Sequence, residues 1–124
     1  MYNGCHAVKN NLSNQLSKIV YFEDLSTEEL QVLAQSSITH TFEAGQTLFH
    51  EGEPATGLWI VQEGRVKISK VNMEGNEHIL HILGVGDTFN DVATLDAGHN
   101  PANAIALSKT TANVILATSI TQLI

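Results

Sequence analysis

The sequence predicts a mainly β domain, an antiparallel barrel or sandwich with flanking N-terminal helices. Near residue 37 the spacing of apolar residues changes from helical to alternating, and glycines then punctuate the chain at short intervals. Runs of strand length lie between those glycines, a pattern typical of antiparallel barrels and sandwiches. At 124 residues, 43% of them hydrophobic, the chain has the size of one domain with its own core.

Residues 1–36 are predicted to form an N-terminal segment with helices. Apolar residues recur there at helical spacing, as Leu12, Leu16 and Ile19 do. The stretch LSTEEL indicates a capping box, in which Ser26 caps the helix N-terminus and Glu29 reaches back to it. We therefore expect a helix over about residues 26–35.

The predicted barrel covers residues 37–119, and a C-terminal helix is expected to start within 120–124. Alternation is clearest in RVKISK, where Val66 and Ile68 should share one face. The polar residues of this run should share the other face: Arg65, Lys67 and Ser69. The predicted strands are QTLFH, LWIVQE, RVKISKVNM, EHILHIL, NAIAL and ANVILAT.

The charge and the motif content exclude several classes of function. With 6 Lys plus Arg against 13 Asp plus Glu, the chain lacks the positive surface that neutralises phosphates, so we do not expect it to bind nucleic acid by itself. The single cysteine, Cys5, excludes a disulfide and any cysteine cluster for zinc or for iron and sulfur. There is no Walker loop, GxSxG or HExxH motif, so we expect neither catalysis nor a metal site.

Targeting signals are also missing from the sequence. No run approaches the roughly 18 apolar residues that span a bilayer, and the N-terminus lacks the apolar region of a secretory signal. We therefore expect a cytoplasmic protein that has no membrane partner.

Three stretches carry a family resemblance: YFEDLSTEEL, FEAGQTLFHEGEPATGLWIVQEGRVKI and GNEHILHILGVGDTFND. In this order they resemble the cyclic-nucleotide-binding domain family, most of all the sensor domain of catabolite-activator and Fnr-type (Crp/Fnr) bacterial transcription regulators. The resemblance extends from about Leu16 onward and implies an antiparallel double-stranded β-helix, or jelly-roll barrel; an unrelated jelly-roll or cupin barrel is the alternative. Residues at family spacing are Phe42, Gly45, Leu48, Phe49, Gly52, Glu53, Trp59, Ile60, Gly64, Val66, Gly75, Ile79, Leu80, Gly86 and Asp87.

Segment 86–104 corresponds, in this resemblance, to the phosphate-binding cassette. The family pattern is Phe-Gly-Glu followed about ten residues later by Arg, whereas this chain has Phe89-Asn90-Asp91 and then Ala102 or Asn103 at the arginine position. Because a bidentate Arg–phosphate pair contributes about 1.5–3 kcal/mol, we expect no tight binding of cyclic AMP or cyclic GMP. The implied pocket residues are Gly86, Phe89, Asn90, Asp91, Val92, Ala93, Ala102, Asn103 and Ala104, with Asn90 and Asn103 as neutral hydrogen-bond partners.

Three alternatives remain for what this pocket does. It binds another small-molecule effector, it holds haem in a gas or redox sensor, or it stays empty in a dimerisation scaffold. His78 and His81 are the pair to suspect as haem ligands, but strand alternation should point residues three apart to opposite faces. His99 lies in the cassette loop, where it could line the mouth of the pocket.

The resemblance implies an effector-sensing domain whose occupancy biases a dimeric regulator between DNA-binding states. The sequence ends where such regulators continue into a long dimerisation helix and a helix-turn-helix. We therefore expect a homodimer in the full-length protein, an unidentified small-molecule effector, and contact with DNA only through a C-terminal domain outside this sequence.

Overall fold

The computed structural model describes residues 12–96 and 98–123, which form two antiparallel four-stranded sheets with helices packed against one of them. The helices are α1 (12–17), α2 (Thr27–Ser36), α3 (Asp91–Leu95) and α4 (Ala117–Leu123), and a turn of 3-10 helix lies at Val20–Phe22. The strands are β1 (Ile38–Phe42), β2 (Thr47–Phe49), β3 (Gly57–Glu63), β4 (Val66–Val71), β5 (Glu77–Leu83), β6 (Thr88–Phe89), β7 (Asn103–Ala106) and β8 (Thr110–Leu116).

Strand order follows the jelly-roll pattern, in which neighbours in a sheet are often distant in sequence. Sheet A has the order β1-β8-β3-β6, and sheet B has the order β2-β7-β4-β5. Every pairing between these strands is antiparallel. The predicted fold class is confirmed.

The predicted strands all appear, and two further strands were missed. The missed strands are β1, whose sequence ITHTF is largely polar and exposed, and the two-residue β6. The predicted alternation in β4 is also confirmed, because Lys67 and Ser69 both donate hydrogen bonds to Glu77 while Val66 and Ile68 pack in the core between the sheets.

Helix α2 begins at the predicted capping box. The Ser26 hydroxyl accepts a hydrogen bond from the Glu29 N–H at 3.1 Å, and the Glu29 carboxylate accepts one from the Ser26 N–H at 2.9 Å. These two bonds satisfy backbone donors that no helical carbonyl can reach, so they fix the start of the helix.

One core cluster, the helix-side core, lies between the helices and the outer face of sheet A. Its buried members are Leu12, Leu16, Phe22, Leu30, Leu33, Ala34, Leu58, Ile60, Ile115 and Ile120. A second cluster, the inter-sheet core, lies between the two sheets and consists of Trp59, Val61, Val66, Phe89, Ala104, Ala112 and Val114.

The predicted domain boundaries at residues 36/37 and 119/120 stay predictions. Strand β8 ends at Leu116, and α4 follows it without an intervening loop. Cys5 and His6 lie outside the described residues. Among the described helices, none is both long enough and apolar enough to cross a membrane.

Candidate functional site

A cavity of about 340 Å³ lies between the β6–α3 segment and side chains of strands β2, β4 and β5. Its wall combines aromatic and aliphatic side chains with a few polar groups, as small-molecule sites usually do. The residues that line it are Phe49, Ile68, His81, Leu83, Thr88, Phe89, Asn90, Asp91, Pro101 and Ala102.

Asn90 forms the sharp corner between β6 and α3. Its φ of 66° is the only positive φ of a non-glycine residue in the described part of the chain. Asparagine tolerates this left-handed conformation better than most residues that carry a Cβ. Asn90 therefore keeps the backbone shape that the family's glycine allows, while it adds an amide to the pocket wall.

The amide of Asn90 is held by Asn100, a residue that the sequence analysis did not single out. Asn90 Nδ2 donates to Asn100 Oδ1 at 2.8 Å, and Asn100 Nδ2 donates to the His50 carbonyl at 3.0 Å. The Asn100 backbone bonds to Gly52 and Glu53 as well. Asn100 is 5% exposed, so this buried amide ties the cassette to the β2–β3 loop. A polar residue that is buried and fully bonded gives no periodic signal in a sequence.

The second half of the cassette points its side chains in alternating directions. Ala102 is buried and lines the cavity, and Ala104 pairs with Ile68 in the core. Asn103 pairs with Ser69 on the other face, and its Oδ1 accepts a hydrogen bond from the Glu51 N–H at 2.8 Å. Of the two candidates for the arginine position, only Ala102 is on the cavity wall.

Gly86 and Ala93 are not among the described residues that line the cavity. Gly86 is in the turn before β6 with a φ of 89°, and its N–H donates to the Val61 carbonyl at 2.9 Å. The Ala93 carbonyl accepts from the Gly98 N–H at 2.8 Å. Val92 lies in α3, but its side chain is outside the described part. His99 forms a bridge with Pro54 and is exposed.

A β-bulge in β5 lies between the two histidines of this strand. Ile68 pairs with His81 and Lys70 pairs with His78, although the partners are two residues apart on β4 and three apart on β5. The bulge thus places both histidines on the same face of sheet B, so the expectation that they point to opposite faces is wrong. Only His81 is on the cavity wall. The described residues contain no group of three or more metal-ligating side chains.

The charge of the cavity comes from Asp91 and not from a cation. Among the described residues that line it, there is neither Lys nor Arg. The lysines of β4 are paired elsewhere, Lys67 with Glu77 at 2.9 Å and Lys70 with Glu51 at 3.8 Å. Hydrogen bonds from Lys67 and then Ser69 hold the pKa of Glu77 below its usual range.

Comparison with known proteins agrees with this geometry. The sequence pattern described as "Cyclic nucleotide-binding domain" matches residues 39–124. The chain is 34% identical over 110 residues to the cAMP-activated global transcriptional regulator CRP of Haemophilus influenzae, covering 83% of this chain and 49% of that protein. It is 28% identical over 89 residues to the cyclic AMP receptor protein of Thermus thermophilus, covering 72% of this chain and 41% of that one.

A solved structure has the same fold. The sensor domain of the transcriptional regulator DNR from Pseudomonas aeruginosa superposes with a TM-score of 0.81 at 28% identity, covering 94% of this chain and 79% of that one. The chain spans less than half the length of the two curated relatives named above. Sequence pattern, fold and the position of the cassette together show that the chain belongs to the cyclic nucleotide-binding domain family.

Proposed function

We propose that this chain is the effector-sensing domain of a Crp/Fnr-type transcription regulator, with a cassette that does not bind cyclic AMP or cyclic GMP tightly. It is a binding module rather than an enzyme. It works in the cytoplasm as part of a homodimer, and DNA is contacted by another domain of a longer protein. Family membership and the similarity to the DNR sensor domain support this proposal.

One observation supports the weak binding of cyclic nucleotides more than any other: the described cavity wall has Ala102 and Asp91 but neither Lys nor Arg. A cyclic phosphate placed there would lose a charge-assisted bidentate pair and would face a carboxylate. A loss of about 3 kcal/mol weakens binding more than a hundredfold.

The neutral donors near the cavity do not replace the missing arginine. One N–H of the Asn90 amide is already bonded to Asn100, and Asn103 accepts a hydrogen bond on the other face of sheet B. Helix α3 has only 5 residues, so its backbone dipole is short.

Calorimetry with cyclic AMP and cyclic GMP tests the proposal. We expect no binding tighter than a Kd of about 10 μM, which corresponds to roughly −7 kcal/mol. Tighter binding of either nucleotide would contradict the proposed state of the cassette. If no small molecule of any class binds, the ligand-free scaffold becomes the better description.

Haem remains a second candidate because His81 lies on the cavity wall beside apolar side chains. If the candidate is correct, protein produced with a supply of haem will show a stoichiometric Soret band. Replacing His81 with Ala should then abolish the band. His78→Ala is the matched control, because that histidine shares the face of the sheet but does not line the cavity. Absence of the band in the unmodified chain rejects this candidate.

A further inference from the structure

We propose that the cavity takes a small organic cation with an apolar or aromatic body, such as an arylalkyl amine. This inference rests on the proposed function, because it names the class of effector for the same site. It is supported by the charge, the apolar surface and the volume of the described cavity.

The charge of the wall favours a cation. Asp91 is the only carboxylate among the described lining residues, and no Lys or Arg of that wall opposes it. The nearby lysines of β4 already contact Glu77 and Glu51. Among the described lining residues, the only other titratable group is His81. With a formal net charge of −7, the whole chain adds a field of the same sign as Asp91.

The body of the cavity favours an apolar ligand. Phe49 and Phe89 form part of the wall with ring centroids 6.0 Å apart, and Ile68 and Leu83 contribute aliphatic surface. Aromatic faces attract organic cations, because the ring quadrupole presents negative charge to them. A volume of about 340 Å³ lies near the lower end of the range for small-molecule pockets, so it suits a small ligand.

Two probes with the same phenylethyl body and opposite charges test this inference on the 124-residue chain. Phenethylamine and 3-phenylpropionate share a phenyl ring on a short alkyl chain and carry opposite charges. We expect calorimetry to detect phenethylamine binding and to detect much weaker binding, or none, of the carboxylate. The fluorescence of Trp59 gives a second readout, because its ring stacks on Phe89 with centroids 5.9 Å apart.

Matched variants separate a specific site from general attraction to an acidic protein. Asp91→Asn should weaken phenethylamine binding at least about tenfold, since it removes the charged partner. Asp96→Asn makes the same change in charge at an exposed residue that does not line the cavity, and it should leave the affinity unchanged. Equal losses in the two variants would overturn the inference.

Ala102→Arg provides a test that does not alter the cassette corner. A guanidinium on the cavity wall should abolish amine binding and allow 3-phenylpropionate to bind. The inference is overturned if the unmodified chain prefers the carboxylate, or if phenethylamine does not bind at millimolar concentration. Tight binding of cyclic AMP in a parallel titration would instead contradict the proposed function, so the two failures are distinguishable.

Discussion

The two core clusters of this domain differ in whether they are closed or open to a cavity. The helix-side core is closed and mostly aliphatic, with Leu12 and Ile60 completely buried. The inter-sheet core is rich in aromatic rings and opens at its edge, where Phe49 and Phe89 become the cavity wall. Strand β3 contributes to both, because successive residues such as Trp59 and Ile60 point to opposite faces. Thus one face of the same strand contributes mainly to stability, and the other also shapes a binding site.

Replacing a phenylalanine in each region should produce the largest difference in stability. Phe22→Ala empties a closed site that is 1% exposed and should lower the free energy of unfolding by about 3–5 kcal/mol. Phe49→Ala removes a half-buried ring that already borders a cavity, so it should cost about half as much. Urea unfolding of both variants checks the difference, and equal losses would show that the cavity wall is as tightly packed as the closed core.

Restoring the family pattern in the cassette should produce the next largest effect. The triple variant Asn90→Gly, Asp91→Glu and Ala102→Arg restores backbone freedom, reach and charge, so cyclic AMP should bind more than about a hundredfold more tightly than to the unmodified chain. The matched control carries Asn103→Arg instead of Ala102→Arg, and its guanidinium should lie on the other face of sheet B.

Calorimetry on both repaired variants, each shown to be folded, provides the measurement. A gain only with Ala102→Arg would assign the arginine position to Ala102. A gain only with Asn103→Arg would contradict that assignment, and no gain at millimolar nucleotide would show that the loop is not an altered phosphate cassette.

Removing the Asn100 amide, which anchors the cassette, should have a smaller effect, seen in the free energy of unfolding. Asn100→Ala leaves the Asn90 amide and the His50 carbonyl without their partner in a buried place, and should cost about 1–3 kcal/mol. Asn103→Ala removes one hydrogen bond at an exposed position, where water can replace it, and should cost less than about 1 kcal/mol. Urea unfolding compares the two, and hydrogen exchange should show faster opening of residues 50–56 in the Asn100 variant alone.

The sequence was sufficient for most of the fold because the fold depends on local and periodic signals. The capping box at Ser26 and the alternation in β4 each follow from a few neighbouring residues, and the structure confirms both. Strand β1 was missed because its sequence ITHTF is largely polar, with an apolar residue only at each end. It is nevertheless a strand, since each of its residues pairs with β8, which is distant in sequence.

The candidate site was harder to predict, since its wall is assembled from separate strands. The cassette positions Phe89 and Ala102 followed from the family resemblance, and both line the cavity. Phe49 and His81 come from strands in which no local motif marks them as pocket residues. The shared face of His78 and His81 could not be predicted without the bulge in β5, because one extra residue between them reverses the face of the positions beyond it.

The smallest expected effect concerns a surface carboxylate of sheet B. Glu77 accepts hydrogen bonds from Lys67 and Ser69, each at 2.9 Å, and these lower its pKa in the folded state. A depressed pKa means that the folded state favours the charged form. The stabilisation is therefore fully present above the unfolded pKa of about 4.3 and is lost as the pH falls through the folded value.

The variant Glu77→Gln should therefore be less stable than the unmodified chain at pH 7, and the difference should shrink as the pH falls below about 4. Glu74→Gln, at an exposed position in the turn of the same hairpin, is the matched control and should show no such convergence with the unmodified chain. Because Glu77 is exposed, the effect should be small and sensitive to salt. Urea unfolding at pH 7 and at pH 3 gives the comparison, and a stability difference that stays constant between the two would show that the charge of Glu77 contributes nothing.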